Sequence, residues 1–216
     1  MTANRVTRAS GLPPRLARCP FGVLRPADAV EVYANPAKDL ARLADRGSLH
    51  KLATGYYAVV PAHSTDRTWF PSLEAATYGI AAADYGQDGA VLMGLSAARL
   101  HGAIPRALDV AVIAVPKNRP NLVLADRNAM VRFVLRDTDR LDAERLNTDL
   151  GAALVTTAEQ TLLDLAHRPD LGGVSAEAKA AIRALWLRAD ANRLTDIAGE
   201  QRLRSALVRA RKLVEA

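Results

Sequence analysis

Lys38, Arg42 and Arg46 recur at every fourth position between Pro36 and Gly47, a spacing that sets three cationic side chains on one side of a helix. Cations so arranged neutralise phosphates and release condensed counterions, which is the chemistry of nucleic-acid binding. Leu40, Leu43 and Ala44 follow the i, i+3, i+4 pattern of an apolar face on the other side. Asp39 and Asp45 share the helix, where they blunt phosphate binding or accept from cytosine amino groups. A solvated surface helix carries the same charge pattern, so the helix alone does not decide.

Other residue types suggest enzyme chemistry and then fail to complete it. Gly94-Leu95-Ser96 followed by Asp109-Val110-Ala111 echoes nucleotidyl transfer, in which a Gly-Ser turn precedes two carboxylates that hold divalent metals. Ala111 stands at the second acidic position, and Leu95 separates the Gly from the Ser. Cys19 lies near Arg15 and Arg18, which favour a thiolate, but no His with an orienting carboxylate accompanies it. His50, His63, His101 and His167 are too scattered for metal-ligand spacing. Gly86, Gly89 and Gly94 are spaced too loosely for a phosphate-cradling loop. No catalytic activity, cofactor or metal is expected.

The elements that must position the basic row are legible on either side of it. Pro36 suits the first turn of a helix over residues 36–46, and Gly47 suits its end. Residues 49–53 and 56–60 then form two runs joined by Thr54-Gly55, the second rich in aromatic and β-branched residues, as in a hairpin. With a short helix from Pro26 before it, this order predicts a winged helix-turn-helix. Residues 1–62 hold nine basic residues (Arg5, Arg8, Arg15, Arg18, Arg25, Lys38, Arg42, Arg46, Lys51) and four acidic ones (Asp28, Glu31, Asp39, Asp45), a net of +5. Of the chain's 29 and 23, that leaves 20 basic and 19 acidic residues beyond position 62, a net of +1. The excess charge therefore lies beside the expected wing, and Lys38, Arg42, Arg46, Lys51 and Arg25 are the candidate DNA contacts.

Residues 63–71 (HSTDRTWFP) read as a linker or docking strap before a second unit at 72–216. Ser72 caps an expected helix to about residue 85, and a short one covers 94–102. Strands are expected at 108–115, 130–136 and 150–155. Thr156 and Glu159 form a T-x-x-E capping box ahead of Leu162, Leu163 and Leu165, with Pro169 as the stop. Further helices are expected at 175–188 and 200–215, the last carrying Arg202, Arg204, Arg209, Arg211 and Lys212. The fold class is α+β: a winged helix-turn-helix domain at 1–62, then a mixed α/β domain long enough to bury its own core and fold alone.

At 50% hydrophobic and 24% charged residues, the 216-residue chain has the composition of a folded protein and not of a disordered one. One cysteine excludes an internal disulfide. The polar, basic N-terminus lacks the apolar segment of a signal peptide, and no apolar run approaches the roughly 20 residues that span a bilayer. The expected location is the cytoplasm, with no membrane partner.

The run L-A-D-R-G-S-L-H-K-L-A-T-G-Y-Y at 43–57, the G-L-S-A-A-R-L-H-G block at 94–102, the Val/Ile strand after it and T-T-A-E-Q-T-L-L-D-L at 156–165 together resemble the AbiEi antitoxin family of AbiE-type toxin-antitoxin pairs. The resemblance covers residues 26–167; the extreme N-terminus and the last helices are less distinctive. It implies two jobs. The N-terminal winged helix would bind inverted repeats in double-stranded promoter DNA and repress its own operon, through Lys38, Arg42, Arg46 and Lys51. The C-terminal domain would counter a cognate nucleotidyltransferase-like toxin, directly or indirectly. The alternative is a stand-alone winged-helix transcriptional regulator whose C-terminal domain senses a ligand or dimerises.

Overall fold

The computed structural model describes residues 12–61, 64 and 69–215; Arg5, Arg8, His63 and most of the expected linker lie outside the described residues. Among the described residues there are eight helices and two sheets in an α+β arrangement.

The first part opens with α1 (Pro14–Ala17) and β1 (Val23–Leu24), then a 3-10 turn over Pro26–Ala29 and α2 (Pro36–Asp45). The local chemistry of α2 matches its sequence signals. Pro36 sits in the first turn and the Asn35 side chain accepts from the Lys38 amide at 3.4 Å. Gly47, at φ 78°, ends it in a Schellman arrangement: Ser48 N donates to Leu43 O at 3.0 Å and Gly47 N to Ala44 O at 2.9 Å. Then come β2 (Leu49–Ala53) and β3 (Tyr56–Val59), the hairpin joined by Thr54-Gly55. β1 pairs antiparallel with β3, so the sheet order is β1-β3-β2.

Both faces of this small sheet are covered, and the period-two alternation shows how. Leu24, Leu49 and Tyr57 pack with Leu16, Leu40 and Leu43 beneath α2. Val23, Tyr56 and Ala58 face the other way, with Leu52, and join a core built around α3 (Leu73–Tyr85) and the larger sheet. Ser72 caps α3 by accepting from Ala75 N at 3.4 Å, and the helix is buried at every position from Leu73 to Ala82. A mostly apolar helix belongs inside, and α3 lies between the two sheets, its buried Glu74 answered by Arg99 at 3.3 Å. Gly79 is where the approach is closest: a Cβ there would meet Val23 Cγ2 at 2.4 Å. The hydrophobic core therefore runs across the boundary at which separately folding units were expected.

The larger sheet comprises β4 (Val91–Leu92), β5 (Val110–Val115), β6 (Leu122–Val123), β7 (Met130–Leu135), β8 (Ala143–Thr148) and β9 (Gly151–Thr156), in the order β6-β7-β5-β4-β9-β8. β5 and β7 pair parallel, as do β4 and β9; the other pairs are antiparallel. α4 (Gly94–Leu100) and α5 (Ala158–His167) pack with α6 (Ser175–Trp186), α7 (Ala191–Glu200) and α8 (Arg204–Glu215) around a second core of Leu95, Leu162, Leu163, Ile182, Leu185, Leu194 and Ile197.

Two local expectations are corrected. Thr157, not Thr156, caps α5, accepting from Gln160 N at 3.3 Å; the Thr156 hydroxyl turns inward to Thr161 at 2.7 Å, and Glu159 accepts from Asp190 N at 2.9 Å. The helix expected over 200–215 begins only at Arg204, as α8, and α7 fills 191–200, where no helix was expected; between them Arg202 takes the left-handed backbone (φ 59°) and Leu203 N bonds back to Ala198 O at 2.8 Å, closing α7.

Candidate nucleic-acid interface

Lys38, Arg42 and Arg46 are exposed on and just beyond α2, whose opposite face buries Leu40 and Leu43. Arg42 is held by its neighbour Asp39, with Nη2 2.7 Å from Oδ1, so the acid one turn back orients it. Lys51 is exposed on β2. Arg46 and Lys51 come together on the wall of a 610 Å3 groove that also takes in Asp45, His50, Trp69 and Asp126. Four of the five candidate contacts are thus exposed, and two of them, Arg46 and Lys51, line one groove.

Arg25 is placed differently. Its guanidinium lies 2.9 Å from Asp28 Oδ1 and 2.9 Å from Asp84 Oδ1, and its backbone amide donates to Asp28 at 2.8 Å. The hydrogen bond to Asp28 leads in raising its pKa further above the guanidinium range. This side chain is committed to joining β1 to α3.

Asp84 collects three partners. Besides Arg25 it accepts from Tyr56 Oη at 2.7 Å and ion-pairs with Arg119, whose Nη2 reaches Tyr56 Oη at 3.3 Å and whose guanidinium stacks 3.9 Å from the Phe133 ring centre. On the other flank of the hairpin, Ala125 N donates to Leu52 O at 2.7 Å and His50 Nε2 lies 2.8 Å from Asp126 Oδ2. The Asp126 side chain is only 4% exposed. Burial would raise its carboxyl, but hydrogen bonds from His50 and Arg127 outweigh that and hold it at about 2. Arg127 in turn lies 4.6 Å above the Phe70 ring. No motif marks Asp84, Arg119 or Asp126; of the residues in these two clusters, only Tyr56 and His50 lie in runs with a readable pattern.

The enzyme echoes take structural posts. Ser96 is fully buried, and its Oγ accepts from Val112 N at 2.9 Å, which ties α4 to β5. Asp109 is exposed beside the start of β5, and Ala111 is buried. His101 bonds the Thr156 carbonyl at 2.8 Å. Burial pushes the Cys19 thiol up, Asp28 adds to this, and Arg15 opposes it. Among the described residues, no group of three or more His, Cys, Asp or Glu is placed to hold a metal ion, and no helix is long and apolar enough to cross a membrane.

The chain is thus a two-sheet α+β body that carries exposed basic side chains on α2 and β2. Residues 89–216, more than half the chain, match the family model of the AbiEi antitoxin C-terminal domain. The chain belongs to the AbiEi antitoxin family, which is a family of antitoxins and not of enzymes. The match starts beyond α3 and runs through the last helices. No curated protein matches. In fold the chain is similar to the crystal structure of the RV2827C protein from Mycobacterium tuberculosis, with a TM-score of 0.56 and 21% identity over 93% of this chain and 78% of that one.

Proposed function

We propose that the N-terminal part is a winged helix that binds double-stranded promoter DNA and represses its own operon, and that residues 72–216 act as the antitoxin against a nucleotidyltransferase-like toxin. One observation carries the DNA reading. The chain runs β1, 3-10 turn, α2, β2, β3 with sheet order β1-β3-β2, and Lys38, Arg42 and Arg46 stand exposed on the helix that precedes the hairpin. A helix so mounted enters a major groove while the hairpin meets the flanking phosphates. Membership of the antitoxin family supports the second half. Arg25 leaves the list of proposed contacts, since Asp28 and Asp84 occupy it.

The two jobs are best separated by substitutions in the whole chain, because its parts share a core. The test pairs gel shifts on the protein's own promoter with growth of cells that express the neighbouring toxin. The Lys38, Arg42, Arg46 triple alanine variant should lose promoter binding and still protect. Unchanged DNA affinity in that variant overturns the winged-helix assignment; failure of the wild-type chain to protect overturns the antitoxin assignment.

A further inference from the structure

The turn after β7 and the turn joining α7 to α8 face each other across a 450 Å3 cavity, lined by Arg136, Arg140, Gln201 and Arg202 with Asp137 and Glu200. Its floor is fixed. Arg136 Nη1 pairs with Asp164 at 3.3 Å and its Nη2 donates to Gln201 Oε1 at 3.3 Å, while Gln201 Nε2 donates to the Arg140 carbonyl at 2.9 Å. The Asp164 side chain is 1% exposed, and its Oδ2 has no hydrogen-bond partner among the described residues. Asp164 answers the charge of Arg136 alone.

The other two cations are not answered. Arg140 donates to the Glu200 carbonyl at 3.4 Å and, among the described residues, makes no ion pair; Arg202 makes neither a side-chain hydrogen bond nor an ion pair. Neighbouring Arg193 shows the contrast, with two nitrogens each 2.8 Å from the Asp142 carboxylate. Arg202 also occupies the left-handed position after α7, closed by the Leu203 N to Ala198 O bond, where glycine or asparagine is the usual residue. A long cationic side chain at a glycine position, lining one cavity with a second guanidinium that has no ion pair among the described residues, points to an anionic ligand.

We propose that this cavity binds a small phosphate-bearing ligand of the pyrophosphate or nucleotide class, held by Arg140 and Arg202 with Arg136 at its base. Its volume falls in the range of small-ligand sites. Concavity and polar lining fit a free phosphate ester, whereas duplex DNA is met by the exposed α2 face. The site is independent of the DNA reading.

Isothermal titration of the full-length chain with sodium pyrophosphate and, separately, with ATP tests it. Saturable binding of one ligand per chain is expected. Arg202→Gly should weaken affinity about tenfold while the melting temperature holds or rises, since glycine relaxes in a left-handed position. A purely structural Arg202 would instead leave affinity unchanged. Tighter binding of ATP than of pyrophosphate assigns part of the affinity to the nucleoside; equal binding assigns it to the phosphates. No saturable binding of either at about 1 mM, equal affinity in the Arg140→Gln/Arg202→Gly double variant, or loss of binding in the Lys38, Arg42, Arg46 triple variant would each overturn the proposal.

Discussion

Arg25, immediately after β1, meets Asp84, near the end of α3, at 2.9 Å, and through this pair the small sheet is tied to the helix it packs on. Both partners are largely shielded, at 31% and 16% side-chain exposure. Removing one side of such a pair leaves the other desolvated and unanswered.

Asp84→Ala should therefore strip Arg25, Arg119 and Tyr56 of a shared partner. A loss of about 2 to 3 kcal/mol in urea unfolding is expected, below the full cost of breaking a buried pair because the arginines keep some water. A loss under about 0.5 kcal/mol, the range of ordinary surface changes, would show that the clamp holds nothing.

Arg42→Ala and Arg25→Ala should separate recognition from support. The first should weaken promoter binding by about 1 to 3 kcal/mol if the guanidinium reads a guanine, and by less if it meets only phosphate, in which case the salt dependence flattens. The second should lower the melting temperature and change DNA affinity only as far as folding is lost. Gel shifts at several salt concentrations, beside thermal melts, distinguish them.

Gly79→Ala should test the closeness of the sheet to α3. Alanine favours a helix over glycine by about 1 kcal/mol, so a free site would gain stability. Here the new Cβ would lie 2.4 Å from Val23 Cγ2, on a stiff β-branched side chain, and overpacking of this kind costs about 1 to 3 kcal/mol. The Val23→Ala/Gly79→Ala double variant should recover part of that loss in denaturant melts, and additive losses would refute the contact.

Stability should fall as the pH rises through the range of Asp164. Burial pushes this carboxyl up to about 6, against the pull of Arg136. The folded chain thus holds a proton that the unfolded chain has released, from about pH 4 to about pH 6, and across that window unfolding becomes easier as pH increases. The effect reaches at most about 3 kcal/mol and is complete above about pH 6. Urea melts of Asp164→Asn, compared with wild type near pH 4 and near pH 7, should show the slope diminished in the variant.

What was legible in the chain follows a physical line. Elements with strong end signals stand where they were expected, as with Pro36 and Gly47 around α2, Thr54-Gly55 in the hairpin and Ser72 before α3. Two-residue strands such as β1, β4 and β6 carry too few residues for any period to show, yet β1 completes the small sheet and β4 joins the two halves of the large one. α7 was missed altogether, and the helix expected from residue 200 begins only at Arg204, past the turn where Arg202 occupies a place that glycine normally marks. Exposure of Lys38, Arg42, Arg46 and Lys51 followed from helix and strand periodicity, whereas Arg25 is held by Asp28, three residues on, and by Asp84, 59 residues away, and no local pattern encodes the second.

Burial of α3 between the two sheets bears on how this antitoxin would be lost. Its amides sit in the one element that both sheets need, so they should exchange with solvent deuterium only when the molecule opens as a whole. A state with the basic hairpin released and the body intact would bare the wall of α3 that Val23, Leu52 and Ala58 cover. Such a half-open form is costly, and turnover by a protease that needs an unfolded start would then remove both proposed activities in a single event.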